Sequence, residues 1–169
     1  GQLYDWYLDQ TGGFYGTKSG CEMIHIQLNL DSSKICVVNR SAVPLSNLTA
    51  IVKLFDLAGT ELYNQMNGVQ VPASSVYIGN AINWPKNLPP VYFVKMYLLN
   101  GKVLSENFYW LSSSNPPDYS ALQNLSPIKL TATVSINREG DEYVLNALLG
   151  NPRWSGAVAF FIRLKVLRS

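Results

Sequence analysis

Hydrophobic and polar residues alternate with a period of two through most of this chain, and no other feature limits the fold as strongly. The first clear stretch runs from Ile24 to Leu30, and the next runs from Leu48 to Leu54. Successive side chains of a β-strand point to opposite faces, so each stretch predicts a strand with one buried face. The sequence therefore predicts an all-β fold.

Turn-forming residues divide the first strands into hairpins. Residues 31–33 (Asp-Ser-Ser) follow the first strand, and Ala58 and Gly59 follow the second. These residue types favour tight turns because they accept turn dihedrals and hydrogen-bond to nearby backbone groups. We therefore expect one hairpin to continue into residues 34–39 and the other to continue into residues 61–66.

The pair Asn100–Gly101 is the strongest turn signal in the sequence. Both residue types accept the positive φ that the two central positions of a type I′ turn require. A two-residue loop at this point determines the register of the hairpin. It predicts that Lys95 faces Glu106 and that Phe93 faces Phe108, which are stabilising kinds of cross-strand pair.

The same register predicts what each face of this hairpin contacts. One face carries the predicted core residues Val94, Met96, Leu98 and Val103. The other face carries Phe93, Phe108 and Trp110, and it is too aromatic for open solvent but too charged for a deep core. We expect this second face to contact a neighbouring domain or a covering loop, or to bind carbohydrate.

A Ser/Pro-rich spacer separates this pattern from a second one. Alternation resumes in residues 128–136, continues in residues 142–149 after a turn, and ends in residues 158–166. A complete immunoglobulin-like sandwich needs about seven strands, so three strands amount to part of one. The expected organisation is a β-sandwich in residues 24–113, a linker in residues 114–126 and an incomplete second β-sandwich in residues 127–169. The unpaired edges of a three-stranded sheet favour strand exchange, so we also expect self-association through residues 127–169.

Helical signals are confined to the N-terminus. Five large apolar residues crowd one short interval there: Leu3, Tyr4, Trp6, Tyr7 and Leu8. Such an interval is short for an independent helix, and the glycines that follow Thr11 end it. We expect one short helical segment that packs on something outside this chain.

Composition argues against several classes of function. Charged residues make up 14% of the chain and the net charge is +2, which indicates neither a nucleic-acid partner nor a membrane partner. No apolar run reaches the ~20 residues of a transmembrane helix, so we expect a soluble chain whose export signal lies upstream. Cys21, Cys36 and His25 are too few for a structural zinc site, so we expect two reduced, partly buried thiols and neither a metal nor a cofactor. His25 lies on the polar side of its strand, which predicts a solvated side chain rather than a general base.

Aromatic residues make carbohydrate binding an alternative function. The chain has 10 Tyr, 6 Phe and 4 Trp, and exposed aromatic rings offer apolar faces on which sugar rings stack. Trp84 and Trp154 occur in loop-like contexts, where functional residues are common. A buried tryptophan also packs in the core of many sandwiches, so the sequence leaves both interpretations open.

Four segments, taken in order, resemble one known family. They are "QLYDWYLDQTGGFYGTKSGCEMIHIQ", "NFYWLS", "PPDYSALQNLSPIKLTATV" and "VAFFIRLKVL". Together they resemble the C-terminal region of glycoside hydrolase family 2, in the branch that contains exo-β-D-glucosaminidases and endo-β-mannosidases. The resemblance implies that residues 1–23 are the tail of a catalytic (β/α)8 barrel with its crossing segment, and that two immunoglobulin-like sandwiches follow.

The resemblance also implies a function. This chain would be a non-catalytic accessory region that supports the barrel of a retaining glycosidase, and the two catalytic acids of that enzyme would lie in the barrel. We therefore expect no catalytic residue here, the barrel and an oligosaccharide as partners, and a secreted or periplasmic parent enzyme. A free-standing β-sandwich interaction domain is the remaining alternative.

Overall fold

The computed structural model describes residues 3–125 and 130–151. Within these ranges one α-helix precedes nine β-strands, and a 3-10 helix (Ser120–Asn124) follows the seventh strand. The helix is α1 (Gly12–Gly20), and the strands are β1 (Ile24–Asn29), β2 (Lys34–Asn39), β3 (Leu45–Phe55), β4 (Glu61–Val71), β5 (Ser75–Ala81), β6 (Val91–Asn100), β7 (Lys102–Ser112), β8 (Thr131–Glu139) and β9 (Glu142–Gly150). The all-β prediction is confirmed.

Strands β1 to β7 form two antiparallel sheets. One sheet has the order β1-β2-β5, and the other has the order β4-β3-β6-β7. Strand β1 approaches β6 and β7 of the opposite sheet, and β5 approaches β4. The two sheets therefore pack face to face as the predicted immunoglobulin-like sandwich, with β1 and β7 at the same edge.

The hydrophobic core lies between these two sheets. Strand β3 contributes alternate buried residues, namely Ala50, Val52 and Leu54. Strand β6 contributes Val94, Met96 and Leu98, which were predicted from the alternation. The sheet on the other side contributes Ile26, Leu28, Ile35 and Val37. The period of two therefore identifies the core-facing side of β1, β3 and β6 correctly, whereas it assigns no buried face to β2, where Ile35, Cys36 and Val37 are all buried.

Strand β5 is absent from the sequence prediction, and its composition explains why. Tyr77 is half-buried against the core, but Val76 and Ile78 point outward and are 55% and 63% exposed. Gly79 lies two residues beyond Tyr77 and offers no apolar side chain to the core. Because apolar residues occur on both faces, β5 lacks the alternation that marks a half-buried strand.

The hairpin of β6 and β7 is confirmed, but its predicted register is wrong. Lys95 faces Phe108 rather than Glu106, and Phe93 faces Trp110 rather than Phe108. The aromatic residues nevertheless stay on one face, because the shift is by an even number of residues.

This shift of two residues has two parts: Asn100 faces Lys102, so Gly101 alone forms the loop and moves the register by one residue, and a β-bulge in β7 moves it by one more. Leu98 faces Ser105 and Leu99 faces Val103, so Leu104 is an additional residue on β7. The bulge moves Val103 out of the predicted core, and its side chain is 52% exposed. Ser105 takes the buried position instead. The turn residues alone do not reveal such a bulge, because it lies beyond the loop.

The prediction of a short N-terminal helix is correct in type but wrong in position. Helix α1 begins at Gly12, whereas residues 3–8 form an irregular loop. The Asp5 carboxylate accepts hydrogen bonds from the backbone N–H groups of Tyr7 and Asp9, each 2.9 Å long. Such local side-chain bonds compete with helical backbone bonds, so the loop is stabilised where a helix was expected.

Strands β8 and β9 form the hairpin that was predicted after the spacer, and Gly140 occupies its turn with a φ of +65°. The third predicted strand, residues 158–166, lies outside the described residues. The division at residues 113 and 126 into sandwich, linker and second sandwich stays a prediction. In the described parts of the chain, no helix combines the length and apolar character needed to cross a membrane.

Candidate functional site

The last residue of α1 and the segment that follows it up to β1, together residues 20–23, are bound directly to the sandwich, and we call them the joint. The Arg40 guanidinium donates from Nη2 to the carbonyl oxygen of Gly20 at 3.0 Å. The backbone N–H of Arg40 donates to the carbonyl oxygen of Met23 at 2.9 Å. Arg40 follows the last residue of β2, so both ends of the joint are tied to the β1-β2-β5 sheet.

Glu22 ties the middle of the joint to the opposite sheet. Its Oε2 accepts a hydrogen bond from Ser105 Oγ at 2.9 Å and lies 3.0 Å from Nδ1 of His25. Ser105 and His25 are 4% and 5% exposed. The prediction of a solvated His25 is wrong, because the joint places a carboxylate beside the imidazole. Sequence reasoning missed this network, since Glu22 and Ser105 are 83 positions apart.

Side chains of β7 form hydrogen bonds with backbone groups of β1, along the edge of β1 that has no neighbouring strand in the described sheet. Ser105 Oγ accepts a hydrogen bond from the N–H of Ile26 at 3.2 Å, and Asn107 Nδ2 donates to the carbonyl oxygen of Ile26 at 3.2 Å. Tyr109 Oη accepts from the N–H of Leu28 at 3.0 Å, and burial raises the pKa of Tyr109. These contacts pair backbone groups that would otherwise lose their water without compensation.

The hydrogen bonds of this network connect the joint with β1 and β7. The Ser105 hydroxyl donates to the Glu22 carboxylate and not to the imidazole, so these side chains do not form the Ser–His–carboxylate arrangement in which the imidazole takes the serine proton. Within residues 3–125 and 130–151, no group of three or more His, Cys, Asp or Glu side chains could hold a metal ion. Cys21 is an exposed free thiol, contrary to expectation, whereas Cys36 is buried and its thiol pKa is raised by that burial.

Three aromatic residues that the sequence singled out lie together on the outer face of β6 and β7. Phe93 is 1% exposed, and its ring stacks on the ring of Phe108 with centroids 5.5 Å apart. Phe108 and Trp110 are 44% and 49% exposed. Phe93 is therefore covered within the chain, whereas Phe108 and Trp110 keep solvent-accessible surface that a partner could contact.

A groove of about 430 Å³ lies between this face and α1. Its lining consists of Tyr15, Gly16 and Ser19 from α1 together with Lys95, Glu106, Asn107 and Phe108 from β6 and β7. Two partly exposed aromatic rings, one amide and two opposite charges thus share one concave surface. Sequence reasoning did not predict a contribution from Tyr15, because nothing in its local pattern indicates proximity to β7.

Trp84, another predicted contact residue, lies on the core side of β6 and not on this outer face. Its ring centroid is 6.2 Å from that of Tyr63 and 6.3 Å from that of Tyr92. The half-buried indole packs against the hydrophobic core. The core-packing interpretation accounts for this position. Trp154, the remaining candidate, lies outside the described residues.

The loop before α1 exposes large apolar side chains. The N–H of Thr11 donates to the carbonyl oxygen of Leu3 at 3.2 Å and closes the loop. Trp6, Tyr7 and Leu8 are 91%, 81% and 79% exposed. Contiguous exposed apolar groups usually mark a surface that contacts another body. The loop is therefore a second candidate contact surface, separate from the groove.

Comparison with protein families gives one match within the sandwich. Residues 31–114 match the model of the family described as "Mannosidase Ig/CBM-like domain". This region begins in the turn after β1 and ends two residues after β7, so it contains six of the seven sandwich strands.

The chain also resembles parts of much longer proteins. It is 38% identical over 146 residues to a mannosylglycoprotein endo-beta-mannosidase of Lilium longiflorum, which covers 80% of this chain and 15% of that protein. It is 32% identical over 191 aligned positions to an exo-beta-D-glucosaminidase of Amycolatopsis orientalis, which covers 99% of this chain and 18% of that protein. The crystal structure of the exo-chitosanase CsxA from Amycolatopsis orientalis superimposes with a TM-score of 0.79 at 31% identity, covering 92% of this chain and 21% of CsxA. The chain thus spans less than a quarter of each of these relatives.

Proposed function

Because residues 31–114 belong to the mannosidase Ig/CBM-like domain family, we propose that this chain is a non-catalytic accessory region of a larger glycoside hydrolase. The resemblance to the branch of exo-β-D-glucosaminidases and endo-β-mannosidases is confirmed by the relatives in both groups. In the proposed parent enzyme, the sandwich supports a catalytic (β/α)8 barrel that hydrolyses β-glucosaminide or β-mannoside linkages.

The exposed apolar loop carries this proposal. Trp6, Tyr7 and Leu8 have most of their surface in solvent, although a folded chain normally buries such residues. A barrel that precedes the sandwich would cover them and gain the free energy of apolar burial, about 25 cal/mol per Å². The family relationship supports the identity of that partner, since the relatives are glycoside hydrolases several times longer than this chain.

The arrangement of acidic side chains supports a non-catalytic role. A retaining glycosidase uses two carboxyl groups about 5–5.5 Å apart, one as nucleophile and one as acid/base. The groove beside α1 contains one carboxylate, that of Glu106. The joint contains Glu22, whose carboxylate already contacts Ser105 and His25. Neither place offers the pair that the reaction needs.

An immunoblot of the source organism tests this proposal directly. An antibody raised against this chain should detect a polypeptide several times larger than 18.8 kDa, in the secreted or periplasmic fraction. The purified chain should not hydrolyse chromogenic β-glucosaminides or β-mannosides. A native band at 18.8 kDa, or hydrolysis by the purified chain, would contradict the proposal.

The groove between α1 and β7 favours carbohydrate contact as a second candidate function. Tyr15 and Phe108 present partly exposed rings, and Lys95 and Glu106 offer a donor and an acceptor for hydroxyl groups. Sugar sites combine such apolar faces with a few polar groups. This function is compatible with the accessory role, because the groove belongs to the surface of the sandwich and helix.

Calorimetric titration with chitosan and mannan oligosaccharides separates the two functions. Saturable heat that is lost in the variant Phe108→Ala and retained in Trp84→Ala would place the contact at the groove. The opposite result would favour Trp84, and Trp154→Ala examines the remaining candidate in the same way. A chain that binds neither oligosaccharide acts as a structural support alone.

A further inference from the structure

Residues 3–19, which we call the N-terminal unit, are held together by aromatic contacts. The ring of Phe14 lies 5.4 Å from that of Tyr4 and 5.3 Å from that of Tyr15, measured between centroids. The Tyr15 hydroxyl donates to Gln10 Oε1 at 2.9 Å. These contacts join the exposed loop to α1, so that the two should move as one body.

Packing does little to attach this unit to the sandwich. No residue of α1 is buried, and an open groove separates Tyr15 and Ser19 from the outer face of β6 and β7. A packed interface would instead show buried apolar contacts. The orientation of the N-terminal unit therefore depends on the segment that connects it to β1.

Residues in or next to three strands of the sandwich contact the joint. Arg40, after β2, donates to the carbonyl oxygens of Gly20 and Met23. On β7 and β1, Ser105 and His25 contact the Glu22 carboxylate at 2.9 and 3.0 Å. Ser105 and His25 are almost fully buried, whereas the Glu22 side chain is 40% exposed, so these hydrogen bonds lie at the boundary between the core and solvent.

We propose that Arg40, Glu22 and Ser105 are positioning residues that lock the joint and hold the N-terminal unit at one orientation on the sandwich. In the proposed parent enzyme, the same lock fixes the exposed loop relative to the sandwich, so that the barrel and the sandwich move as one rigid assembly. The second statement rests on the proposed function, whereas the rigid joint is a property of this chain and can be tested in it.

Backbone ¹⁵N relaxation of the purified chain tests the lock. In the unsubstituted chain, order parameters in α1 should match those of β3 and β6, about 0.85. In Glu22→Ala and Arg40→Gln, they should fall below about 0.6 in α1 while those of the core strands stay unchanged. Ser75→Ala is the matched control, because it also removes a 2.9 Å hydrogen bond, to the carbonyl oxygen of Pro72, but one that lies away from the joint.

Two results would overturn the proposal. One is an α1 that already moves independently in the unsubstituted chain, and the other is an α1 that stays rigid in the double variant Glu22→Ala/Arg40→Gln. Ser105→Ala is a weaker test, since Ser105 also accepts the N–H of Ile26 and its loss disturbs the sandwich. These outcomes are independent of the immunoblot, so a mobile joint would leave the accessory function standing.

Discussion

The sandwich and the β8–β9 hairpin share one sequence pattern but differ in what the pattern achieves. In β3, the alternate residues Val52 and Leu54 are completely buried. In β8, the alternate residues Val134 and Ile136 are 52% and 62% exposed. Alternation therefore specifies that a strand has an apolar face, whereas burial of that face requires a second sheet.

The pairing of β8 with β9 brings apolar side chains together on one face of the hairpin. Val134 faces Ala147, Ile136 faces Leu145, and the polar residue Ser135 faces Asn146 on the other side. The face of Ser135 also carries Val144 and Leu148. Among the strands of residues 130–151, no second sheet covers the face of Val134 as β1, β2 and β5 cover β3 in the sandwich. A two-stranded ribbon of this kind is only marginally stable in water by itself.

Truncation of equivalent leucines should give the largest contrast between the two regions. Leu54→Ala leaves a cavity in the core between the sheets, so it should lower the free energy of unfolding by about 2–5 kcal/mol. Leu149→Ala removes a side chain that is 43% exposed, so it should change the free energy of unfolding by no more than about 0.5 kcal/mol. Urea unfolding followed by circular dichroism measures both values. Equal losses would show that the hairpin is packed as tightly as the sandwich.

Asparagine substitutions should give the next contrast. Asn39 is 1% exposed, and its Nδ2 donates to the carbonyl oxygens of Val43 and Pro72, both at 2.9 Å. Asn39→Ala leaves these acceptors unsatisfied and should cost about 2–3 kcal/mol. Asn146 is exposed on β9, so Asn146→Ala should cost less than about 0.5 kcal/mol. The same urea titration measures both losses. A small loss of unfolding free energy in Asn39→Ala would show that water replaces the lost hydrogen bonds.

Self-association through residues 127–169 stays a prediction, and the face of Val134 and Ile136, which is exposed among the described residues, offers a surface that a second copy can cover. The mass from sedimentation velocity should rise above 18.8 kDa with concentration. Ile136→Glu places a charge on the apolar face and should weaken association at least tenfold, which corresponds to about 1.4 kcal/mol. Thr133→Glu is the control, because Thr133 lies on the opposite face of β8. A monodisperse monomer at high concentration would refute this expectation.

The sequence predicts those parts of the fold that depend on local pattern. Residues such as Ala50 and Met96 are correctly assigned to the core, because period-two burial is a local property of a strand. The register of β6 with β7 is not predictable in this way, since Gly101 alone forms the loop and the extra residue Leu104 then shifts the pairing by one more residue. Strand β5 is missed because Val76 and Ile78 point away from the core.

The candidate site is less predictable than the fold. The sequence identifies Phe108 and Trp110 as outer-face residues, because they alternate along β7 with the charged residue Glu106 on the same face. The joint depends on contacts among Glu22, Arg40 and Ser105, which are distant in sequence and individually ordinary. No periodicity brings such residues together, so only the packed structure shows that they act as a unit.

Surface ion pairs should give the smallest difference in stability between the two regions, and the dependence of the unfolding free energy on pH should reveal it. In the sandwich, Lys53 Nζ lies 2.7 Å from Glu61 Oε2, with side chains 32% and 38% exposed. In the hairpin, Arg138 Nη2 lies 3.7 Å from Asp141 Oδ1, with the Arg138 side chain 64% exposed and the Asp141 side chain fully exposed. After allowance for solvent screening, the first pair should contribute about 0.2–1 kcal/mol, and the second should contribute nothing measurable.

Titration distinguishes this pair from a merely close contact. The hydrogen bond from Lys53, and then that from Asn64, lowers the pKa of Glu61 in the folded chain. A carboxyl group whose pKa is lower when folded contributes stability above its unfolded pKa, and it loses that contribution as pH falls through the folded value. The difference in unfolding free energy between the unsubstituted chain and Lys53→Met should therefore be measurable at pH 7 and absent near pH 2. If the difference persists in acid, the Lys53 side chain stabilises β3 by packing its methylenes rather than by pairing with Glu61.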